Sequence, residues 1–133
     1  MPKRTYIDAN LLIAAFRGEG ALGQRAIEIL DDPDRALVAS DAVRLEVLPK
    51  PRYEKRQQEI DFYDTVLDQA ECLNWSTGTL YRAHDLAEKH GIAAMDAIHA
   101  AMALDAGVDE FVTAEQSTKP MFRVSELHMQ SIR

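Results

Sequence analysis

Four acidic residues that are far apart along the chain each occur in an apolar segment. Asp8 interrupts an apolar run at 5–16, and Glu46, Asp96 and Glu115 also have apolar residues before or beside them. Placing a carboxylate in such a segment is costly unless a partner compensates the charge. Carboxylates that converge in a half-buried cleft repel one another, and their pKa values rise as a set unless a cation enters. The pattern therefore predicts a cation site.

A hard divalent ion suits a group of carboxylate oxygens. Mg²⁺ and Mn²⁺ prefer oxygen ligands and often take only one or two protein carboxylates, while water and a substrate phosphate complete the coordination. An ion held in this way can supply hydroxide from bound water and can stabilise the charge of an in-line attack on phosphorus. The four acids thus favour hydrolysis of a phosphate ester.

These residues also have purely structural interpretations. Asp8 can cap the following helix, although Asn10 is the better-placed N-cap, and Asp96 can complement a helix dipole from the first turn. His99, three residues after Asp96, can hydrogen-bond to such a site, but a lone histidine in an alanine-rich helix is more often a packed residue. Taken singly, these interpretations weigh at least as much as the functional one, so the prediction rests on the set.

The elements that must bring the acids together alternate between strand and helix. Amphipathic or alanine-rich helical patterns separate the apolar runs that predict strands, and no hairpin signal occurs. This alternation predicts an α/β fold with a mostly parallel sheet that is covered by helices on both faces. In an open parallel sheet, ligands bind beyond the carboxyl ends of the strands, where all four acids can be placed. The predicted strands are at 3–8, 36–39, 72–75 and 110–113.

Size and composition limit the architecture and the cellular location. A chain of 133 residues that is 47% hydrophobic can bury one real core and is too short for two, so we expect a single domain over 1–133. No apolar run approaches the roughly 20 residues that cross a bilayer, and the N-terminus lacks the apolar core of a signal peptide. We therefore expect a cytoplasmic protein without a membrane partner. Cys72, the one cysteine, is expected to be a small buried hydrophobe.

Three stretches of the chain resemble the PIN domain family, particularly the VapC-like toxins of prokaryotic toxin–antitoxin pairs. They are YIDANLLIAAF at 6–16, SDAVRLEVL at 40–48 and GIAAMDAIHAAMALDAGVDEFVTAE at 91–115. The third stretch is the most specific, because an acid before Ala-Ile-His-Ala-Ala, then a strand ending in Val-Thr and another acid, does not readily arise by chance. The order and spacing of these motifs extend over nearly the whole chain.

The resemblance implies a three-layer α/β/α sandwich and a Mg²⁺- or Mn²⁺-dependent endoribonuclease that leaves 5′-phosphate and 3′-hydroxyl ends. Asp8 and Asp96 would be the primary metal ligands, and Glu46 would be a ligand or would orient water. Glu115 would be an outer ligand, because the family usually has Asp there and the extra methylene can limit this carboxylate to contact through water. The implied site thus comprises the catalytic acids Asp8, Glu46, Asp96 and Glu115, with Asn10 and Thr113 as polar neighbours.

Partners follow from the same resemblance and from charge. The family implies homodimers and a small antitoxin that blocks the site, often with a basic side chain. An acidic site repels RNA phosphates, so a nuclease needs positive charge nearby. The net charge is −7, yet residues 44–56 hold five basic residues against two acids. Ordinary ion pairing on a solvated helix explains such a segment equally well. The predicted RNA-binding residues are Lys50, Arg52, Lys55 and Arg56.

Two other classes of protein remain open on the sequence. A phosphoacceptor receiver module also places Asp at strand ends with Mg²⁺, but we expect an acidic pair after its first strand, whereas Ala9 and Asn10 follow Asp8. The other class is a domain of this fold that binds metal weakly or is inactive, and that acts only through protein contacts. Glu115, as a departure from the family pattern, is compatible with that second class.

Overall fold

The computed structural model describes residues 1–133 and contains one five-stranded sheet in the order β3-β2-β1-β4-β5. Every neighbouring pair of strands is parallel, so the sheet is wholly parallel where a mostly parallel one was predicted. The expected α/β class is confirmed. The strands are Lys3–Ile7 (β1), Arg35–Ser40 (β2), Glu71–Leu73 (β3), Glu110–Thr113 (β4) and Met129–Ser131 (β5).

Seven α-helices cover the two faces of the sheet and complete the expected three-layer sandwich. They connect strands that run in the same direction, which requires crossover connections rather than hairpins. None of them combines the length and the apolar character that a membrane-crossing helix needs. The helices are Ala9–Arg17 (α1), Gly20–Asp31 (α2), Asp41–Val47 (α3), Pro49–Tyr53 (α4), Gln57–Gln69 (α5), Thr77–His90 (α6) and Ala94–Ala106 (α7).

The core lies on both sides of the central strands. Tyr6, Ile7, Val38, Phe111 and Val112 are completely buried. Strands buried on both faces carry nearly continuous apolar runs, which explains why these segments stand out in the sequence. On one side, the alanines of α7 allow close packing against α6, and this pair of helices forms its own apolar cluster.

The start of α1 differs from the prediction that Asn10 is its N-cap. β1 ends at Ile7 and α1 begins at Ala9, so Asp8 is the N-cap, and its carboxylate accepts a 3.1 Å hydrogen bond from the Leu11 amide. Asn10 instead lies in the first helical turn with its side chain exposed. The strand runs into the helix so directly that only residue 8 is available as a cap.

The corner between α1 and α2 depends on two glycines. Gly18 ends α1 with a left-handed backbone at φ +61°. Gly23 lies against it so closely that a Cβ atom on Gly23 would be 2.3 Å from the carbonyl carbon of Gly18. The second helix can therefore approach the end of the first only because residue 23 has no side chain.

Two short elements near the C-terminal end have no counterpart in the prediction, and one strand is shifted. The 3₁₀ helix Pro120–Arg123 and β5 are too short to give a periodic pattern. The third strand is Glu71–Leu73 rather than 72–75. Cys72 is half-buried rather than buried, and its free thiol hydrogen-bonds to the Leu67 carbonyl oxygen.

Candidate active site

The strand order places a crevice at the carboxyl ends of β1 and β4. The chain moves outward from β1 through β2 to β3 on one side, and β4 and β5 lie on the other side. In open α/β sheets, such a reversal of strand order leaves a crevice beyond the strand ends, where ligands bind. Asp8 directly follows β1, and Glu115 lies two residues after the end of β4 at Thr113. The topology alone brings these two distant acids to one place.

Asp8 is only 4% exposed, although it carries a carboxylate. One carboxylate oxygen accepts the bond from the Leu11 amide, and the other accepts a 2.6 Å hydrogen bond from the Thr113 hydroxyl. Burial raises the pKa of Asp8 to about 6, whereas the hydrogen bonds from Thr113 and Leu11 oppose the rise. Asp8 is thus a helix cap and a buried acid that titrates close to neutral pH.

Glu115 is held beside the start of α1. The Asn10 side-chain amide donates a 2.6 Å hydrogen bond to its carboxylate, and its own backbone amide donates to the Thr113 hydroxyl oxygen. The Thr113 hydroxyl therefore links Asp8 with the backbone of Glu115. Both residues predicted as polar neighbours of the acids, Asn10 and Thr113, contact a carboxylate in the structure.

Asp96 lies half-buried in the first turn of α7. Burial raises its pKa; His99 opposes the rise, while the negative charges of Glu115 and Glu46 add to it. The charge of Glu46 likewise raises the pKa of Asp8. Each of the four acids therefore lies close enough to at least one other acid for their charges to interact.

Glu46, on α3, is paired with a histidine that the sequence left ambiguous. Its side chain is about one-third exposed, and Oε1 contacts Nε2 of His99, which is 3% exposed. Nδ1 of His99 lies 2.7 Å from the Tyr6 hydroxyl, and this hydroxyl lies 2.7 Å from Oγ of Ser40. His99 is thus packed, and it also hydrogen-bonds to a member of the site.

The donor set is suited to a hard ion but does not form a closed cage. No three Asp, Glu, His or Cys side chains in the chain converge as ready-made metal ligands. The carboxylates repel one another, and Asp8 retains acceptor capacity beyond its two hydrogen bonds. Mg²⁺ commonly binds through one or two carboxylates and keeps several water ligands. The acids therefore fit an ion that is held in that way, with water between it and the remaining side chains.

Two adjoining clefts along α1 border Glu115 and Glu46, whereas Asp8 and Asp96 line neither of them. The first has a volume of about 210 Å³ and contains Asn10 and Glu115, and the second has a volume of about 310 Å³ and contains Glu46. Ile13 and Arg17 line both clefts, so α1 forms a common wall. Arg17 is exposed and forms no ion pair with any acid.

The four residues predicted to bind RNA separate into two pairs. Lys50 and Arg56 line the second cleft beside Glu46. Arg52 and Lys55 do not line it. Arg52 pairs with Asp64 at 3.4 Å, and Arg56 pairs with Glu59 at the same distance.

Sequence reasoning also missed cations that border the acids. Arg17 and Arg133 line the first cleft, but each is an isolated base in the sequence, and no charge cluster marks it. Only the folded chain brings them beside the carboxylates.

Comparison with known proteins agrees with this architecture. Solved structures with the same fold include a toxin–antitoxin complex from Klebsiella pneumoniae, at 20% identity and a TM-score of 0.77, covering 97% of this chain and 98% of that chain. Another is VapBC2 from Rickettsia felis bound to a promoter DNA fragment, at 17% identity and a TM-score of 0.72, covering 96% of this chain and 97% of that chain.

A third structure is Mycobacterium tuberculosis VapC20, described as a sarcin–ricin loop cleaving toxin, at 12% identity and a TM-score of 0.69, with 93% of this chain and 98% of that chain covered. No curated protein sequence matches the chain. The sequence model of the PIN domain, however, matches residues 5–119. The chain therefore belongs to the PIN domain family.

Proposed function

We propose that this protein is a Mg²⁺- or Mn²⁺-dependent endoribonuclease and the toxin of a toxin–antitoxin pair. The observation that carries the proposal is the buried Asp8 carboxylate at the crevice of a PIN domain, within electrostatic range of Glu46 on α3. The structural relatives described as toxins or toxin–antitoxin complexes support the same assignment.

In this proposal, Asp8 and Asp96 would hold the divalent ion, and Glu115 would be an outer ligand. When bound, the ion supplies an activated water and stabilises negative charge on the scissile phosphate. The bonds from Leu11 and Thr113 fix the Asp8 carboxylate before any ligand arrives, and such preorganisation lowers the cost of assembling the site. The Asn10 amide holds Glu115 at the edge of the same crevice.

Glu46 is proposed to orient the attacking water. It is the most exposed of the four acids and lines the second cleft, where water and substrate can reach it. A general base must come within hydrogen-bond reach of the proton it accepts, and a partly solvated carboxylate on a short helix meets that need.

The RNA backbone is proposed to lie along α1 across both clefts. Lys50 and Arg56 would contact phosphates on the Glu46 side, and Arg17 would contact a phosphate between the clefts. Arg52 and Lys55 are expected to contribute less, because they lie outside the cleft that contains Glu46. Local positive charge of this kind offsets the repulsion between the acids and the substrate.

We further propose that the protein acts in the cytoplasm as a homodimer of one domain, 1–133, and binds a cognate antitoxin. The relative from K. pneumoniae, which is described as a toxin–antitoxin complex, supports the antitoxin partner. A basic antitoxin side chain would be attracted to the crevice, because the acids there are partly buried and mutually repelled.

One alternative is favoured by a specific observation. The lack of three converging metal ligands suits a PIN-like domain that binds metal weakly and acts through protein contacts. The family assignment, in contrast, removes the receiver-like alternative.

The proposal is tested by incubating the purified protein with total bacterial RNA in Mg²⁺ or Mn²⁺ and mapping the ends of the fragments. We expect 5′-phosphate and 3′-hydroxyl ends, loss of cleavage with EDTA, and loss of cleavage in Asp8→Asn. The control is Asp85→Asn, because Asp85 is an exposed acid on α6 outside the site. Cleavage that persists in EDTA and in Asp8→Asn would refute the metal-dependent mechanism.

A second measurement separates the enzyme from the protein-contact alternative. A ligand that binds only the folded state raises the unfolding temperature. Mn²⁺ should therefore stabilise the wild type but not Asp96→Asn. No cleavage together with no Mn²⁺ stabilisation would favour the protein-contact alternative.

A further inference from the structure

We infer that His99 is a positioning residue that holds the Glu46 carboxylate in one orientation at the edge of the site. Its effect on cleavage rests on the proposed function, but the contact itself can be tested without any nuclease activity. His99 lies on α7, 53 residues from Glu46 on α3, and its ring is almost completely buried between the two helices and β1.

The hydrogen-bond partners of His99 fix where one of its hydrogens lies. Oε1 of Glu46 faces Nε2 of His99, and an ionised carboxylate offers only lone pairs. Nε2 must therefore carry a hydrogen and donate it to Glu46. This bond is the one side-chain hydrogen bond that Glu46 makes, so no other hydrogen bond fixes the orientation of the carboxylate.

The other ring nitrogen of His99 is hydrogen-bonded in the core. Nδ1 of His99 contacts the hydroxyl of Tyr6, which is completely buried on β1. The same hydroxyl contacts Oγ of Ser40, and Ser40 caps α3 by accepting a hydrogen bond from the Val43 amide. The helix that carries Glu46 is thus attached to the Tyr6–His99 pair both at its N-terminal cap and at Glu46.

This anchoring matters because no other side-chain hydrogen bond supports the Glu46 carboxylate. About one-third of the Glu46 side chain is exposed, and its one side-chain hydrogen bond is with His99. Small misplacements of a group that orients a reactant can reduce the rate by large factors. Partners that orient active-site ligands are typically worth about 10- to 100-fold in activity or metal affinity.

The first test uses two amide substitutions of different length. The amide nitrogen of glutamine reaches roughly as far as Nε2 of histidine and can still donate to Glu46, whereas asparagine is too short. On total bacterial RNA with Mn²⁺, we expect His99→Asn to lower kcat about 10- to 100-fold with KM nearly unchanged. His99→Gln should retain most of the wild-type kcat. When Glu46→Ala is combined with each of these substitutions, the two double variants should have equal kcat values.

Equal kcat values for His99→Asn and His99→Gln in the presence of Glu46 would overturn the inference. It would also be overturned if His99→Asn lowered kcat by the same factor in the Glu46→Ala background as in the wild type. Circular dichroism and unfolding temperature of each variant identify any change that merely reflects loss of the fold.

The second test detects the contact between His99 and Glu46 directly, by NMR of the histidine side-chain nitrogens. The chain has four histidines, and the His99 signals are identified by their disappearance in His99→Asn. We expect a slowly exchanging Nε2 hydrogen on His99 whose resonance shifts in Glu46→Ala. The matched control is Glu88→Ala, which removes the acid of the exposed His84–Glu88 pair and should leave His99 unchanged.

An Nε2 hydrogen that is missing, or that does not respond to Glu46→Ala, would overturn the contact. If the NMR result holds but no variant and no wild-type protein cleaves RNA, the proposed function fails while the positioning contact stands.

Discussion

The Thr113 hydroxyl donates a 2.6 Å hydrogen bond to the Asp8 carboxylate, and this bond joins the ends of β4 and β1 where the strand order reverses. It is buried, and it connects residues 105 positions apart. A charge-assisted bond of this kind favours the ionised form of Asp8 and partly offsets its burial. The fold therefore contributes directly to the protonation state of the central acid.

Asp8→Asn should make the metal-free protein more stable at neutral pH. The pKa of Asp8 rises from 3.8 to about 6 in the fold, so the folded chain binds this proton more tightly than the unfolded chain does. The free energy of unfolding then falls as pH rises from about 4 to about 6, and the ionised group costs about 3 kcal/mol above that range. Asparagine is also a good N-cap, so α1 should be preserved.

Urea unfolding in EDTA, at several pH values between about 4 and 7, measures this effect. The difference between the variant and the wild type should grow with pH and then level off. A difference that is constant with pH would show that Asp8 does not titrate in this range.

Arg17→Ala should weaken RNA binding and reduce its dependence on salt. Arg17 lines both clefts and has no ion-pair partner, so its charge is available to a phosphate. Losing one phosphate contact should lower the slope of log K against log salt by about 0.7 to 1. Binding of a labelled single-stranded RNA to variants in the Asp8→Asn background separates binding from cleavage.

The matched control for Arg17→Ala is Arg82→Ala. Arg82 is a partly exposed arginine on α6 that pairs with Asp105, outside both clefts. Equal salt slopes for the two variants would remove Arg17 from the RNA-binding surface.

Arg35→Met should destabilise the fold strongly. Glu110 is 2% exposed, and one of its oxygens accepts bonds from Thr5 at 2.7 Å and Arg35 at 2.9 Å, while the other has no partner. Burial raises the pKa of Glu110, but the bonds from Thr5 and Arg35 outweigh this effect and hold the pKa below its ordinary value. Removing one partner of a buried ion pair typically costs about 3–5 kcal/mol.

Chemical denaturation at neutral pH checks the Arg35 prediction. Because the pKa of Glu110 is lowered, the stabilisation is present above its ordinary value and declines as pH falls below it. Arg52→Met is the control, since it breaks an exposed pair with Asp64 and should change stability by less than about 1 kcal/mol. Similar losses in both variants would contradict the assignment of Arg35 to a buried pair.

Gly23→Ala should be destabilising, whereas Gly78→Ala should not. A Cβ atom on Gly23 would lie 2.3 Å from backbone carbon of Gly18, and overpacking of this kind costs about 1–3 kcal/mol. Gly78 is also helical, but its nearest neighbour is Oγ of Ser76 at 3.8 Å. Alanine there should be neutral or stabilising by up to about 1 kcal/mol, because it restricts the unfolded chain. The unfolding temperatures of the two variants, each compared with that of the wild type, test this prediction.

The sequence was informative where local physics determines the structure. Apolar runs located β1, β2 and β4, and Gly91 and Gly107 end their helices in the left-handed conformation that favours glycine. The parallel sheet then brings the acids toward one edge. The N-cap prediction was wrong because Asp8 and Asn10 are both good N-cap residues. The choice between them depends on where β1 ends, which the sequence pattern does not fix.

Other features depend on contacts that no local pattern contains. The contact between Glu46 and His99 joins two helices, and the position of His99 in the sequence did not identify Glu46 as its partner. Arg17 and Arg133 come beside the acids only through the packing of α1, α2 and the last strand. The three-residue strand β5 is stabilised by its pairing with β4 rather than by its own sequence.

The wholly parallel sheet affects when the acids can meet during synthesis. Each carboxylate is supplied by a separate crossover, from residue 8 near the start to residue 115 after β4. A nascent chain on the ribosome therefore lacks the complete group of acids until residue 115 has emerged.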